Sequence, residues 1–116
     1  MNQVKDIRIG FRVKVFVDDE PYLGKGPMDL LKAIEQEGSI ANAAKATQLS
    51  YRKAWQLVEN MNRLAKQPLV EKKLGGNRGG GASVTVAGKE ILENYLSLER
   101  QVDQFVQSRF KPSDFI

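Results

Sequence analysis

One stretch decides the fold of this chain, residues 38–69, with the sequence GSIANAAKATQLSYRKAWQLVENMNRLAKQPL. Its apolar spacing predicts two helices joined by a tight turn, the second longer than the first. Ser39 and Ser50 each precede a predicted helix, where a hydroxyl accepts a hydrogen bond from a free backbone N–H. Pro68 ends the second helix, because the residue before a proline is pushed out of the α region. We therefore expect helices over residues 40–46 and 51–66.

The longer helix has two different faces on a helical wheel. Val58 and Met61 lie in a narrow aliphatic arc, which we expect to pack inward. The residues that cluster on the opposite side are Arg52, Gln56, Glu59 and Arg63. Such a face suits the major groove of DNA, because Arg bonds bidentately to guanine and Gln to adenine. For this helix alone, an ordinary solvated surface helix is the alternative interpretation.

The surrounding motifs favour DNA binding. They are GSI…AA, LSYRKAW, MN, PLV, GG..GGGA and TVAG, in that order over residues 38–95. With these motifs in register, the chain resembles the winged helix-turn-helix of the bacterial molybdate-responsive regulator (ModE) family and, more distantly, LysR-type regulators. The resemblance implies a DNA-binding transcriptional regulator that uses residues 51–66 as its recognition helix. Molybdate-sensing members carry a C-terminal ligand-binding module, whereas this chain stops at Ile116, so we expect the stand-alone DNA-binding form.

The predicted fold class is α+β and mainly helical, a winged helix-turn-helix with a three-helix core and an extra N-terminal strand. Apolar residues alternate with basic ones over residues 7–17, which predicts a half-buried strand. Pro27 and the apolar stripe after it predict a helix over residues 27–37. Gly38 is expected to end that helix, because glycine takes a positive φ at little cost.

A glycine-rich loop, GGNRGGGA, lies inside the predicted wing, a β-hairpin over residues 69–86. Glycines leave the backbone free to approach another surface. Asn77 and Arg78 are the only long polar side chains of this loop. A phosphate-binding P-loop is excluded, because no Gly-Lys-Ser/Thr follows at the required spacing. We expect the wing to contact DNA backbone or minor groove and to complete a DNA-binding domain at residues 1–86.

Eight polar residues are the candidate contacts to double-stranded DNA. They lie at the start and along the outward face of the recognition helix and in the wing: Ser50, Tyr51, Arg52, Lys53, Gln56, Arg63, Asn77 and Arg78. Trp55 lies at the border of the aliphatic arc, where packing is favoured over DNA contact. The alternative function is a winged helix that contacts a protein partner instead, which would suit a neutral or apolar outward face.

Residues 87–116 form the predicted C-terminal dimerisation helix and tail. Apolar residues there step by four, three, four and three, which is a coiled-coil-like seam. The candidate homodimer interface is Ile91, Tyr95, Leu98, Val102 and Phe105. A two-fold dimer predicts a palindromic DNA site. The alternative is a monomer whose last helix folds over its own core.

Composition excludes several other classes. The 116 residues carry a net charge of +4, which mildly favours anionic partners, and they include neither Cys nor His. Without these residue types or any nucleophile–base cluster, we expect neither an enzyme nor a metal or cofactor site. No apolar run reaches the length of a membrane span and no signal peptide opens the chain, so we expect a cytoplasmic protein without membrane contact. No small-molecule effector site is visible in the sequence.

Overall fold

The computed structural model describes residues 5–73 and 81–116. The elements in chain order are β1 Val15–Val17, β2 Glu20–Leu23, α1 Lys25–Glu37, α2 Ile40–Ala46, α3 Tyr51–Leu64, β3 Val70–Lys73, β4 Gly81–Val84, α4 Val86–Arg109 and a short 3₁₀ helix Pro112–Phe115. The strands pair as two separate antiparallel hairpins, β1–β2 and β3–β4. The predicted fold class, a mainly helical α+β winged helix with a long C-terminal helix, is confirmed.

The three helices α1, α2 and α3 pack around one apolar core. Its largest fully buried side chains are Leu30, Leu31, Ile34, Val58, Met61 and Leu69. The bounds of α2 agree with the prediction. However, α1 begins two residues before Pro27, and α3 ends at Leu64 rather than Lys66. The inward aliphatic arc predicted for α3 is present, and it fixes which face of α3 remains outside.

Two left-handed residues shape the turns between these helices. Gly38 has φ 74° and its N–H donates to the Ile34 carbonyl at 2.9 Å, as predicted for the end of α1. Gln48, between α2 and α3, has φ 60°. The next N–H, that of Leu49, donates to the Ala44 carbonyl at 2.9 Å and closes the end of α2. These two turns therefore fix the directions in which the chain enters α2 and then α3.

The strand predicted over residues 7–17 is wrong for most of its length. Only Val15–Val17 pair, with β2 as partner, across a two-residue turn whose members Asp18 and Asp19 both have positive φ. Because β2 has only four residues, residues 7–14 pair with no strand of the described ranges.

The segment before β1 lies beside α4. The Tyr95 hydroxyl donates to the Val13 carbonyl at 2.8 Å, and the Gln107 side-chain amide donates to the Ile9 carbonyl at 3.3 Å. Val13 is half-buried against the core. Ile9 and Val13 are half-buried, whereas Ile7 and Phe11 are exposed, so this segment contacts the helix without forming a sheet.

The start of α4 is fixed against the chain just before β3. The Thr85 hydroxyl accepts from the Gly88 N–H at 3.0 Å and donates to the Pro68 carbonyl at 2.7 Å. A side chain at Gly88 would overlap the Leu69 carbonyl oxygen and would lie 2.7 Å from Val84 Cγ1. The first half of α4 therefore belongs to the same core as α1 to α3, and a separate role for residues 87–116 stays a prediction.

Candidate nucleic-acid interface

The helix α3 presents a polar face on a rigid support. Its N-terminus is capped by Ser50, whose hydroxyl accepts from the Lys53 N–H at 3.0 Å. Ala54, Val58 and Met61 are completely buried behind it. Because the back of the helix is held in the core, its front keeps a fixed orientation.

Three candidate contacts at the start of α3 have free side chains. Arg52, Lys53 and Gln56 are exposed, and none forms an ion pair or a side-chain hydrogen bond with any other residue in the described ranges. Arg52 and Gln56 lie one turn apart on the same face. Guanidinium and amide groups in this arrangement have their hydrogen-bonding capacity available for a ligand outside the chain. Tyr51, next to them, is 55% exposed.

Arg63, further along the same face, is engaged within the chain. Its guanidinium meets the Glu20 carboxylate of the β1–β2 hairpin at 2.5 and 3.3 Å, and it donates to the Asn60 side-chain oxygen at 2.6 Å. This hydrogen-bonded pair raises the pKa of Arg63 and lowers the pKa of Glu20. The Asn60 amide also donates to the Pro21 carbonyl at 3.1 Å. Arg63 and Asn60 therefore join α3 to the hairpin, a role that the sequence did not indicate.

Trp55 connects α3 to the base of the wing. Its indole N–H donates to the Tyr51 hydroxyl at 2.8 Å. The Lys72 ammonium of β3 lies 3.2 Å from the centre of the Trp55 ring and also pairs with Glu59. A cation over an aromatic face is attractive. Trp55 thus packs at the border of the core, as the sequence favoured.

Asn62 is a positioning residue that the sequence analysis did not single out. Its side-chain oxygen accepts from the N–H groups of Leu69 at 2.8 Å and Val70 at 3.1 Å, and its side-chain nitrogen donates to the Val70 carbonyl at 3.0 Å. The available signal was the amide in the MN motif, shortly before Pro68 and an apolar strand. Asn62 fixes where the wing begins relative to α3.

The wing is anchored at both strands. Val70 pairs with Val84 and Lys73 pairs with Gly81. The Ala82 N–H donates to the Gly38 carbonyl at 2.9 Å, which joins β4 to the end of α1. The candidate contacts Asn77 and Arg78 lie outside the described residues.

The predicted dimer seam divides into a buried and an exposed part. Tyr95 is only 4% exposed and packs into the chain's own core, and Ile91 is half-buried against it. Leu98 and Phe105 are 41% and 54% exposed. Val102 is half-buried. The second half of α4 is therefore available for contact with a partner, whereas Tyr95 is already buried within the chain.

Neither a metal centre nor a membrane span is evident in the described ranges. Within residues 5–73 and 81–116, no group of three or more Asp, Glu, His or Cys side chains is placed to hold a metal ion. Among the helices that the structure describes, none is long and apolar enough to cross a membrane.

Comparison with known proteins identifies sequence relatives. No family model matches the chain. It is 50% identical over 70 residues to the molybdenum transport protein ModE of Azotobacter vinelandii, an overlap of 60% of this chain and 26% of that protein. It is 40% identical over 77 residues to the DNA-binding transcriptional dual regulator ModE of Escherichia coli K12, covering 66% of this chain and 29% of that protein. This chain is a sequence relative of the ModE regulators. It spans about a quarter to a third of the length of these relatives.

The fold also matches a solved regulator. MepR of Staphylococcus aureus, a transcription regulator of the multidrug efflux pump MepA, has a TM-score of 0.58 at 21% identity, over 77% of this chain and 64% of MepR. A MepR–DNA complex matches with a TM-score of 0.53. At this identity the match shows the winged-helix fold alone. The E. coli relative and MepR are both named as transcription regulators.

Proposed function

We propose that this chain is a sequence-specific DNA-binding module of a transcription regulator and that α3 reads the major groove. The observation that carries the proposal is the free pair Arg52 and Gln56 on the outward face of a helix whose back is completely buried. Both lie near the N-terminus of α3, the end of a recognition helix that usually contacts base edges. The name of the E. coli relative and the MepR–DNA complex support the same function.

The other candidate contacts receive distinct roles in this proposal. The DNA phosphates on either side of the bases read by Arg52 and Gln56 are bound by Ser50, Tyr51 and Lys53. Hydroxyl and ammonium groups at the start of a helix are suited to bind phosphate oxygens. Arg63 keeps N–H donors beyond those used by Glu20 and Asn60, so it serves both the hairpin and the DNA backbone. Asn77 and Arg78 contact the backbone or the minor groove from the wing.

We further propose that the chain acts as a homodimer on a palindromic site. The exposed apolar side chains Leu98 and Phe105 on the second half of α4 support this arrangement, because a partner would remove them from water. Two recognition helices related by a two-fold axis require half-sites about one helical turn, or a multiple of it, apart.

A salt titration of duplex binding tests the DNA-binding proposal. The logarithm of the affinity for a bound duplex should fall linearly with the logarithm of salt concentration, because neutralised phosphates release counterions. Replacing Lys53 by Ala should reduce the slope by about one unit. The matched control is Lys45→Ala on α2, another exposed lysine at a helix surface, with a smaller expected change. Affinity that does not depend on salt would contradict the proposal.

A further inference from the structure

A cavity of about 340 Å³ lies between the β1–β2 hairpin, the start of α1 and α3. Its wall is mainly apolar and includes Val13, Pro21, Leu23, Pro27 and Leu57. This volume is within the range of sites that take small molecules. None of these residues is a candidate DNA contact, but the cavity adjoins the candidate interface through Asn60, which lines it and accepts a hydrogen bond from Arg63.

Tyr22 supplies an unused polar group to this cavity. The residue lines the cavity and is only 8% exposed, yet its hydroxyl makes no hydrogen bond to any other residue of the described ranges. No sealed side-chain oxygen or nitrogen lacks a partner in the described residues, so the Tyr22 hydroxyl keeps some contact with solvent. Burial raises the pKa of Tyr22. The group therefore remains a protonated donor at neutral pH.

The charged side chains that line the cavity are all cations. Arg12, Lys14 and Lys25 contribute to its lining, and no acidic side chain of the described residues does. Lys25 is paired with Asp29 at 2.6 Å. Arg12 and Lys14 form no ion pair elsewhere in the described part of the chain. Arg12, Lys14 and Tyr22 thus line a mainly apolar space.

We propose that this cavity binds small amphipathic anions, molecules with an aromatic body and a carboxylate group. The apolar wall formed by Leu23, Pro27 and Leu57 would take the body. The carboxylate would accept a hydrogen bond from Tyr22 and face Arg12 and Lys14. A bare inorganic anion would leave the apolar wall unused, and a neutral aromatic molecule would leave the cations without a partner.

The cavity lies where the hairpin meets α3. Leu57 and Asn60 of α3 line it, and Asn60 donates to the Pro21 carbonyl on the opposite wall. A bound molecule therefore touches both elements at their junction. That a bound molecule changes DNA affinity through α3 is an inference that rests on the proposed function. Binding of the molecule in the cavity does not depend on that function.

The test is a titration of the full chain with 2-naphthoate, followed by ¹H–¹⁵N NMR. Saturable shifts should centre on the lining residues, namely those at 12–14, 21–27, 57 and 60. The neutral analogue 2-naphthalenemethanol should bind at least about fivefold more weakly, because the pairing with two exposed cations is lost. Absence of saturation at these residues, shifts centred on α4, or equal binding of the neutral analogue would each overturn the proposal.

Two variants locate the binding groups. Tyr22→Phe should weaken 2-naphthoate binding about tenfold, because a hydrogen bond to a charged group is lost. Arg12→Gln with Lys14→Gln should weaken it roughly three- to tenfold. The matched control, Lys32→Gln with Lys89→Gln, removes two exposed charges outside the cavity and should leave affinity unchanged. Equal affinity in the wild type and both cavity variants would overturn the assignment.

Discussion

Asn62 holds both hydrogen-bonding groups of the Val70 backbone, accepting from its N–H at 3.1 Å and donating to its carbonyl at 3.0 Å. The same side-chain oxygen accepts from the Leu69 N–H at 2.8 Å. The Asn62 side chain, on the last turn of α3, therefore sets the position of Leu69 and Val70 at the start of the wing. In the proposed DNA complex, the helix and the wing must contact one duplex together, so this connection controls their spacing.

Replacing Asn62 by Ala should destabilise the fold by about 2–4 kcal/mol, because three hydrogen bonds are lost and two N–H groups lose their acceptor. Asn62→Asp keeps the acceptor and loses the donor, so a smaller loss is expected. Urea unfolding gives both values. Asn42→Ala on the exposed surface of α2 is the control, with a change within about 0.5 kcal/mol. Equal stability of Asn62→Ala and the wild type would refute the role of this side chain.

Gly88 should be intolerant of any side chain. Gly88→Ala places a methyl group against the Leu69 carbonyl oxygen and Val84, and the α4 backbone has to move. We expect a loss of about 3 kcal/mol, at the upper end of overpacking effects. Gly26→Ala is the matched control on α1, because nothing lies within 4 Å of the position that its methyl group would take. That variant should gain up to about 1 kcal/mol, and similar unfolding midpoints for the two variants would contradict the close approach.

Tyr95 should make stability depend on alkaline pH. Burial, followed by the charge of Glu99, raises its pKa above the ordinary value of 10.0. The folded state therefore holds this proton more tightly than the unfolded state does. The resulting stabilisation is present below pH 10 and is lost as pH rises through the raised pKa. Urea unfolding of the wild type at pH 8 to 11 should show this loss. The loss should be smaller in Tyr95→Phe, in which Tyr22 is the remaining tyrosine of the described residues whose pKa is raised. An equal decline in both proteins would show that Tyr95 is not responsible.

The sequence predicted the helical core well because its signals were local. Ser39 and Ser50 cap the helices where expected, and Gly38 has its positive φ. The strand prediction failed before Val15 because the neighbour of that segment is α4, which is distant in sequence. The roles of Arg63 and Asn62 and the cavity beside Tyr22 depend on segments that meet only after folding. No spacing along the chain reveals the role of Arg63 or the cavity, and the amide of the MN motif was the one local signal for Asn62.

The dimer proposal predicts that charge on the exposed half of α4 separates the partners. Leu98→Glu with Phe105→Glu should give a folded monomer in sedimentation, because both side chains are exposed and like charges would face each other across the interface. Arg100→Glu changes the net charge by the same amount at an exposed position of the same helix, and we expect it to remain dimeric. Dimers of the double variant would assign the interface to another surface.

Selection of bound duplexes from a random DNA pool, by the wild type and by the Arg52→Ala and Gln56→Ala variants, tests the central claim most directly. The wild type should enrich one inverted repeat. Each variant should lose preference at one or two base pairs, because removing a bidentate hydrogen-bonded pair to a base costs about 1–3 kcal/mol of discrimination. A pool without an enriched motif, or the same motif from all three proteins, would contradict the assignment of α3 as the element that reads DNA.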